Sequence, residues 1–147
     1  MMRANTAFLV LSFYLACGAT PAQPEEKCPV AIGRVELSYD HRGGESKPQL
    51  KVEFGNYAGK RISTVTFSLS VLDGGGYPHP YPNNLRYLDG LESGKKKAFT
   101  WDLASESVDI HRAGETVAVL EVEFVGTESW IDDGSQSCAF KVDFHAR

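Results

Sequence analysis

The sequence predicts an all-β fold, in which seven to eight short strands form an antiparallel β-sandwich of Greek-key type. Three observations carry this. Apolar residues recur with period two in run after run beyond residue 30. Clusters of Gly, Pro, Asn and Asp separate the runs at short intervals. No segment of ten or more residues shows a 3.6-residue period with helix caps at its ends. A closed barrel satisfies the same pattern and stands beside the sandwich as the alternative.

Ahead of the strands, residues 1–22 read as a secretory signal peptide. Arg3 supplies a positive start, residues 7–16 (AFLVLSFYLA) an apolar run, and Cys17, Gly18, Ala19, Thr20 and Ala22 the small residues that a cleavage site needs. The run is shorter than the ~20 residues that span a bilayer, and no second run of that length follows, so no transmembrane segment is expected. Cleavage is expected after Ala19 or Ala22. Leu15-Ala16-Cys17-Gly18 also approximates a bacterial lipobox, with Tyr14 where Leu is usual, and lipidation at Cys17 is the alternative. Residues 23–30 form a Pro/Glu-rich lead-in, and residues 31–147 the β-domain. The expected location is outside the cytoplasm, periplasmic or extracellular.

The first strand signal is the alternation of Val35, Leu37 and Tyr39 with Glu36, Ser38 and Asp40. A polar loop with Gly43-Gly44 follows. Leu50, Val52 and Phe54 alternate with Lys51 and Glu53. Val65, Phe67, Leu69 and Val71 alternate with Thr64, Thr66, Ser68 and Ser70, which gives an outward face of small hydroxyls. Residues 73–84 hold Gly74-Gly75-Gly76, Pro78, Pro80 and Pro82, a density of breakers that predicts a loop without regular structure. Short strands are predicted at residues 85–91 and 107–110, and a longer one at 98–103 with Phe99, Trp101 and Leu103 on one face. In residues 116–125, Ala118, Leu120, Val122 and Phe124 face one way, and Glu121 and Glu123 the other. Asp132-Asp133-Gly134-Ser135 predicts a hairpin-type turn. The last run sets Cys138, Phe140, Val142 and Phe144 against Lys141, Asp143 and His145.

Two cysteines follow the signal peptide, Cys28 in the lead-in and Cys138 in the last strand run. An even number in an exported domain predicts one disulfide, here clamping the two ends of the domain. Two buried free thiols are the alternative. A zinc site would need ligands at closer spacing.

The middle of the chain, Asn56-Tyr57-Ala58-Gly59-Lys60-Arg61-Ile62, then Val65 to Leu69, Leu72-Asp73, Leu91-Glu92-Ser93-Gly94-Lys95 and Phe99, resembles the FxLYD-like group of bacterial immunoglobulin-like domains. In that group an Asn and a polar turn precede a long strand ending in Asp, and a leucine–x–x–glycine turn precedes the next apolar strand. The likeness covers about 45 residues, from Asn56 to Trp101. Val71-Leu72-Asp73 stands where the group has Leu-Tyr-Asp. Residues 122–138 are similar to a tail of secreted bacterial proteins. The resemblance implies an immunoglobulin-like sandwich and an accessory role, and it supplies no catalytic residues.

Composition narrows the function classes. With 147 residues, 42% of them hydrophobic, the chain suits one globular domain. Eight Phe, six Tyr and two Trp are more than a disordered segment carries. A net charge of -4 argues against nucleic acid as a partner. No Gly-x-Ser-x-Gly elbow, His-Glu-x-x-His helix or phosphate-binding loop occurs, so no catalytic residues and no cofactor are expected. His41, His79, His111 and His145 include no pair at metal-ligand spacing. Asp132 and Asp133, with Glu128 and Asp143, supply carboxylates for calcium but too short a loop for the ~6–8 oxygens that ion takes. They also read as an ordinary Asp turn. Lys95-Lys96-Lys97 is the one basic cluster and reads as edge protection and solubility.

Four residues are candidates for partner binding. Tyr77, His79 and Tyr81 lie in the stiff segment Tyr77-Pro78-His79-Pro80-Tyr81-Pro82, where exposed rings would suit recognition. The competing reading is a proline-braced crossover whose tyrosines cover the core. Trp130 follows a polar stretch that would leave its ring exposed, whereas Trp101 is in phase with the core. Two functions follow: an exported, non-catalytic module that binds another secreted or envelope protein, or a small exported metal-binding protein or enzyme built on His79 and Asp132-Asp133.

Overall fold

The computed structural model describes residues 28–40, 47–72, 75–104 and 114–143. Nine strands occur among them: β1 (Val30–Asp40), β2 (Lys47–Asn56), β3 (Ile62–Leu72), β4 (Pro78–Pro80), β5 (Leu85–Tyr87), β6 (Lys96–Asp102), β7 (Gly114–Phe124), β8 (Ser129–Ile131) and β9 (Ala139–Asp143). The predicted strand at 107–110 lies outside the described residues. All pairings are antiparallel.

One sheet runs β1-β2-β6. In the other, β3 and β7 form the centre; β4 and β5 share one edge of β3, and β8 and β9 share one edge of β7. The nine segments thus occupy seven rows. Three rows face four, in the order of an immunoglobulin-like sandwich, and both sheets are open. Period-two burial explains the packing. Leu50, Val52 and Phe54 of β2 turn in, while Lys51 and Glu53 turn out to neighbour Glu36 and Arg34 of β1.

Between the sheets, five aromatic rings close a circuit of edge-to-face contacts. Phe54 meets Phe67 at 5.1 Å and Tyr87 at 5.2 Å; Phe99 meets Tyr87 at 5.4 Å and Trp101 at 4.9 Å; Trp101 meets Phe67 at 5.6 Å. Each such pair adds about 0.5–1.5 kcal/mol beyond the area it buries. The rings come from β2, β3, β5 and β6, so the circuit ties the two sheets together on one flank.

Three sequence expectations need correction. Residues 78–80 do form a strand, because an edge position tolerates proline. The Tyr81 amide donates to Leu69 O at 2.8 Å, so by strand alternation the nitrogens of Pro78 and Pro80 point away from β3, where no ladder bond is lost. Second, Asp132 to Ser135 does not join a hairpin. β8 and β9 both pair with β7, and the segment between them loops out of a single interrupted edge. Third, β7 changes face part-way. A bulge sets Thr66 opposite Glu121 but Phe67 opposite Val119. Val117 and Val119 therefore face the core with Val122 and Phe124, and Ala118, opposite Ser68, is in the other phase although it too is buried. A second bulge at Gly33 shifts β1 between Ile32 and Arg34, which hid its first residues from a simple alternation.

Asn56 sits at the end of β2 with no exposed surface. Its side-chain amide donates to Lys60 O at 3.0 Å and Leu91 O at 2.9 Å, and its carbonyl accepts from the Ala58 amide at 2.9 Å. One buried side chain thereby holds the β2–β3 turn against the turn before β6.

Candidate functional site

Two flanks of the sandwich carry the residues of interest. On the first, β4 and β5 border β6. Trp101 Nε1 donates to Arg86 O at 3.0 Å, and the Tyr81 hydroxyl accepts from the Ala104 amide at 3.1 Å. Tyr81 is half-buried and packs on the core. Of the two tyrosines in the proline segment, Tyr81 follows the core-covering reading. Tyr77 stands at the start of the edge strand with 71% of its surface exposed, and His79 is exposed as well.

On the second flank, β1 borders β8 and β9. Cys28 and Cys138 form a disulfide with Cα atoms 5.8 Å apart, joining the chain just before β1 to the chain just before β9. Beside the bridge lies a groove of about 960 Å³. Trp130 is not the exposed ring the sequence suggests. It is 6% exposed and belongs to the core cluster, because it lies opposite Val122 on the inward face, and its remaining surface lines the groove.

Asp132 and Asp133 border this groove. Asp132 Oδ2 accepts from the amides of Gly134 at 3.0 Å and Gln136 at 3.2 Å, and Asp133 Oδ1 accepts from the Ser135 amide at 2.9 Å. Hydrogen bonds from the side chain and backbone of Ser135 hold the Asp133 carboxyl below its ordinary pKa. The loop is closed by Gly134 at φ 92° and Gln136 at φ 53°, the left-handed region that a tight excursion needs. Asp132 Oδ1 is buried and has no hydrogen-bond partner.

The residues of a joint metal or catalytic site do not meet. His79 lies on the β4 edge of its sheet and Asp132-Asp133 on the opposite, β8–β9 edge. Glu128 is engaged with Lys60, whose ammonium also sits 4.4 Å from the centre of the Phe124 ring. Among the described residues no three His, Cys, Asp or Glu side chains gather where they could hold a metal ion. His41, His111, His145 and the side chain of Asp143 lie outside the described residues, as does Cys17. Lys95, Lys96 and Lys97 are exposed, and the last two lie on β6, an outer strand of its sheet, where charge deters edge pairing. Among the described residues no helix is long and apolar enough to cross a membrane.

Sequence reasoning missed Glu115. It is 2% exposed, opposite Val71 on one side and Val142 on the other, on the same inward face as Val117. Neither carboxyl oxygen has a hydrogen-bond partner, and burial raises its pKa to about 7. The signal was a phase: Glu115, Val117 and Val119 alternate together, but the bulge after Val119 hides that phase behind Val122 and Phe124.

No protein-family model matches the chain, and no curated protein or solved structure is significantly similar to it.

Proposed function

We propose that the chain is an exported, non-catalytic immunoglobulin-like module that binds another secreted or envelope protein through its β4 edge. The observation that carries this is the contrast between Tyr77 and Tyr81 on one short segment. Tyr81 is anchored into the sandwich, and it holds Tyr77 at a fixed edge with most of its ring in solvent. An exposed, pre-positioned Tyr offers large contact area at little loss of side-chain entropy. Pro78 and Pro80 deny the outer edge two amide donors, so recognition there is by side chains, Tyr77 and His79, rather than by strand addition. The disulfide fits an oxidising compartment. The signal-peptide pattern of residues 1–22 and the resemblance to FxLYD-like domains support export and an accessory role.

Cross-linked affinity purification from the native cells tests the reading. A reproducible partner should be recovered by the wild-type chain and lost by Tyr77→Ser, with stability changed by no more than about 0.5 kcal/mol. Retention of every partner by the variant overturns the assignment of this edge. Amino-terminal sequencing of the protein from outside the cytoplasm should begin at Thr20 or Gln23; an intact Met1 there would overturn the cleaved leader.

A further inference from the structure

We propose that a second copy of the chain adds to the free edge of β6, the two β6 strands running antiparallel about a two-fold axis at Phe99. The protein is then a homodimer with one sheet continuous across both copies. This goes beyond the partner binding proposed above and uses a different edge.

The backbone comes first. β6 is the last strand of its sheet and pairs with β2 alone among the described residues. The Asn56 amide donates to Lys95 O at 2.9 Å and the Leu103 amide to Pro48 O at 2.8 Å, at the two ends of an unbroken register. Bonded residues recur at every second position of an antiparallel ladder. The amides and carbonyls of Lys97, Phe99 and Trp101 therefore turn towards β2, and those of Lys96, Ala98, Thr100 and Asp102 turn outward. No described residue bonds to these outward backbone groups, and all four residues are exposed. The chain leaves this edge after Asp102: the Ala104 amide goes to the Tyr81 hydroxyl beside β4. An open edge of this kind accepts a further strand. β6 has seven residues and no register shift, whereas β4 carries two prolines, β5 and β8 have three residues each, and β1 has the bulge at Gly33.

The side chains fix the occupant and the register. With Phe99 of both copies on the axis, Lys96 lies opposite the partner's Asp102, and Ala98 opposite the partner's Thr100. Symmetry repeats each pair. All four outward residues of each copy then find bonding partners, the charged pairs are of opposite sign, and the central side chains are small. On the inner face Lys97 lies across from the partner's Trp101, a pairing of cation and indole. The half-buried rings of Phe99 and Trp101 gain cover from the second copy. Asp102 Oδ1 accepts from Gln49 Nε2 at 2.7 Å, which holds the carboxylate on the outer face. Other registers lose this match. An axis at Ala98 or Thr100 parts Lys96 from Asp102, an axis at Lys97 sets two lysines face to face, and an in-register parallel pairing stacks lysine on lysine. The lysines that deter an arbitrary strand thus admit one mode of self-pairing. An interface whose own edge is its complement is what a two-fold dimer needs.

Sedimentation equilibrium of the disulfide-bonded chain over about 1–500 μM tests this. One strand from each copy makes a small interface, so wild type should pass from monomer to dimer with a dissociation constant in the micromolar range. Thr100→Pro removes an outward amide that β2 does not use, at an edge position where proline is tolerated. It should unfold close to the wild-type midpoint and lose the dimer. Lys96→Asp and Asp102→Lys should each weaken self-association about tenfold, because each sets like charges opposite one another twice. Mixed in equal amounts, these two variants should pair with each other as tightly as wild type does, since the mixed dimer opposes unlike charges at both positions. Tyr77→Ser should leave the dimer unchanged. A wild-type chain that stays monomeric throughout overturns the proposal, and so does a dimer retained by a folded Thr100→Pro chain. If Thr100→Pro does not fold, the charge variants decide alone: failure to pair when mixed, while wild type dimerises, overturns the register and with it the two-fold pairing. A dimer lost by Tyr77→Ser and kept by Thr100→Pro would place self-association on the β4 edge instead.

Discussion

The two flanks of the sandwich close by different means. Where β5 meets β6 the seal is made of side chains: the indole of Trp101 on Arg86 O, the hydroxyl of Tyr81 under the Ala104 amide, and the circuit of five rings. Where β1 meets β8 and β9 the seal is a covalent bond with a cleft beside it. The flanks differ in their polar groups too. The buried side-chain oxygens without partners among the described residues are those of Glu115 and Asp132, both on the β7–β9 half of the larger sheet. Interdigitated rings leave no room for a ligand and satisfy their own polar atoms. A cystine holds two strands at a fixed spacing without filling the space between them. It therefore permits a cleft at a sandwich seam that hydrophobic packing alone would have to close.

The largest test of this contrast is to cut the covalent seal. The bridge closes a loop of 110 positions, which on the chain-entropy account is worth about 4–5 kcal/mol. Replacing Cys28 and Cys138 together by Ser should lower the unfolding free energy by about that amount, read from denaturant titration. If the loss is below about 1 kcal/mol, the β1–β9 flank is held by packing as the other flank is, and the contrast fails.

Glu115 gives the next effect, and its sign is set by burial. Its folded pKa is raised from 4.5 to about 7, so the folded chain holds a proton that the unfolded chain releases. Below the unfolded value both states are protonated and the group makes no difference to stability. As pH rises from 4.5 towards 7 stability falls, and above that the penalty stays constant, at about 3 kcal/mol. Glu115→Gln should therefore be more stable than wild type at pH about 8 and nearly equal to it at pH about 4. A variant whose stability tracks wild type across that range would show that the folded carboxyl is not kept neutral.

How much of this was legible in the sequence follows from where period two holds. β2 and β3 alternate cleanly, and the sequence places Leu50, Val52, Phe54, Val65, Phe67, Leu69 and Val71 in the core. The cystine and the inward Trp101 were legible because parity of cysteines and strand phase are local facts. β7 was half legible: one inserted residue at the bulge reverses every side chain before it, so Ala118, itself buried, was expected in phase with Val122 and Phe124, and Glu115 was not noticed. The β4 strand was hidden by its prolines, which forbid a central strand but not an edge. Trp130 was misplaced because its burial comes from pairing with Val122, a contact between elements that the polar residues 127–129 do not foretell. The groove belongs to neither edge alone. It arises from the apposition of Val30–Ile32 with residues one hundred positions away, and no local pattern encodes that.

The smallest effect tests the side-chain seal. Trp101→Phe keeps an aromatic ring in contact with Phe67 and Phe99 and removes the indole donor from Arg86 O. The hydrogen bond contributes about 1 kcal/mol, and the smaller ring adds a packing loss of similar size. Since this flank has further bonds at Tyr81 and Tyr87, the loss should stay near 1–2 kcal/mol and leave the cystine intact. Amide exchange should then speed up locally in β5 and β6 and remain unchanged in β1. Equal acceleration on both flanks would mean that the indole bond supports the whole sandwich, and the two seams would have to be treated as one cooperative unit.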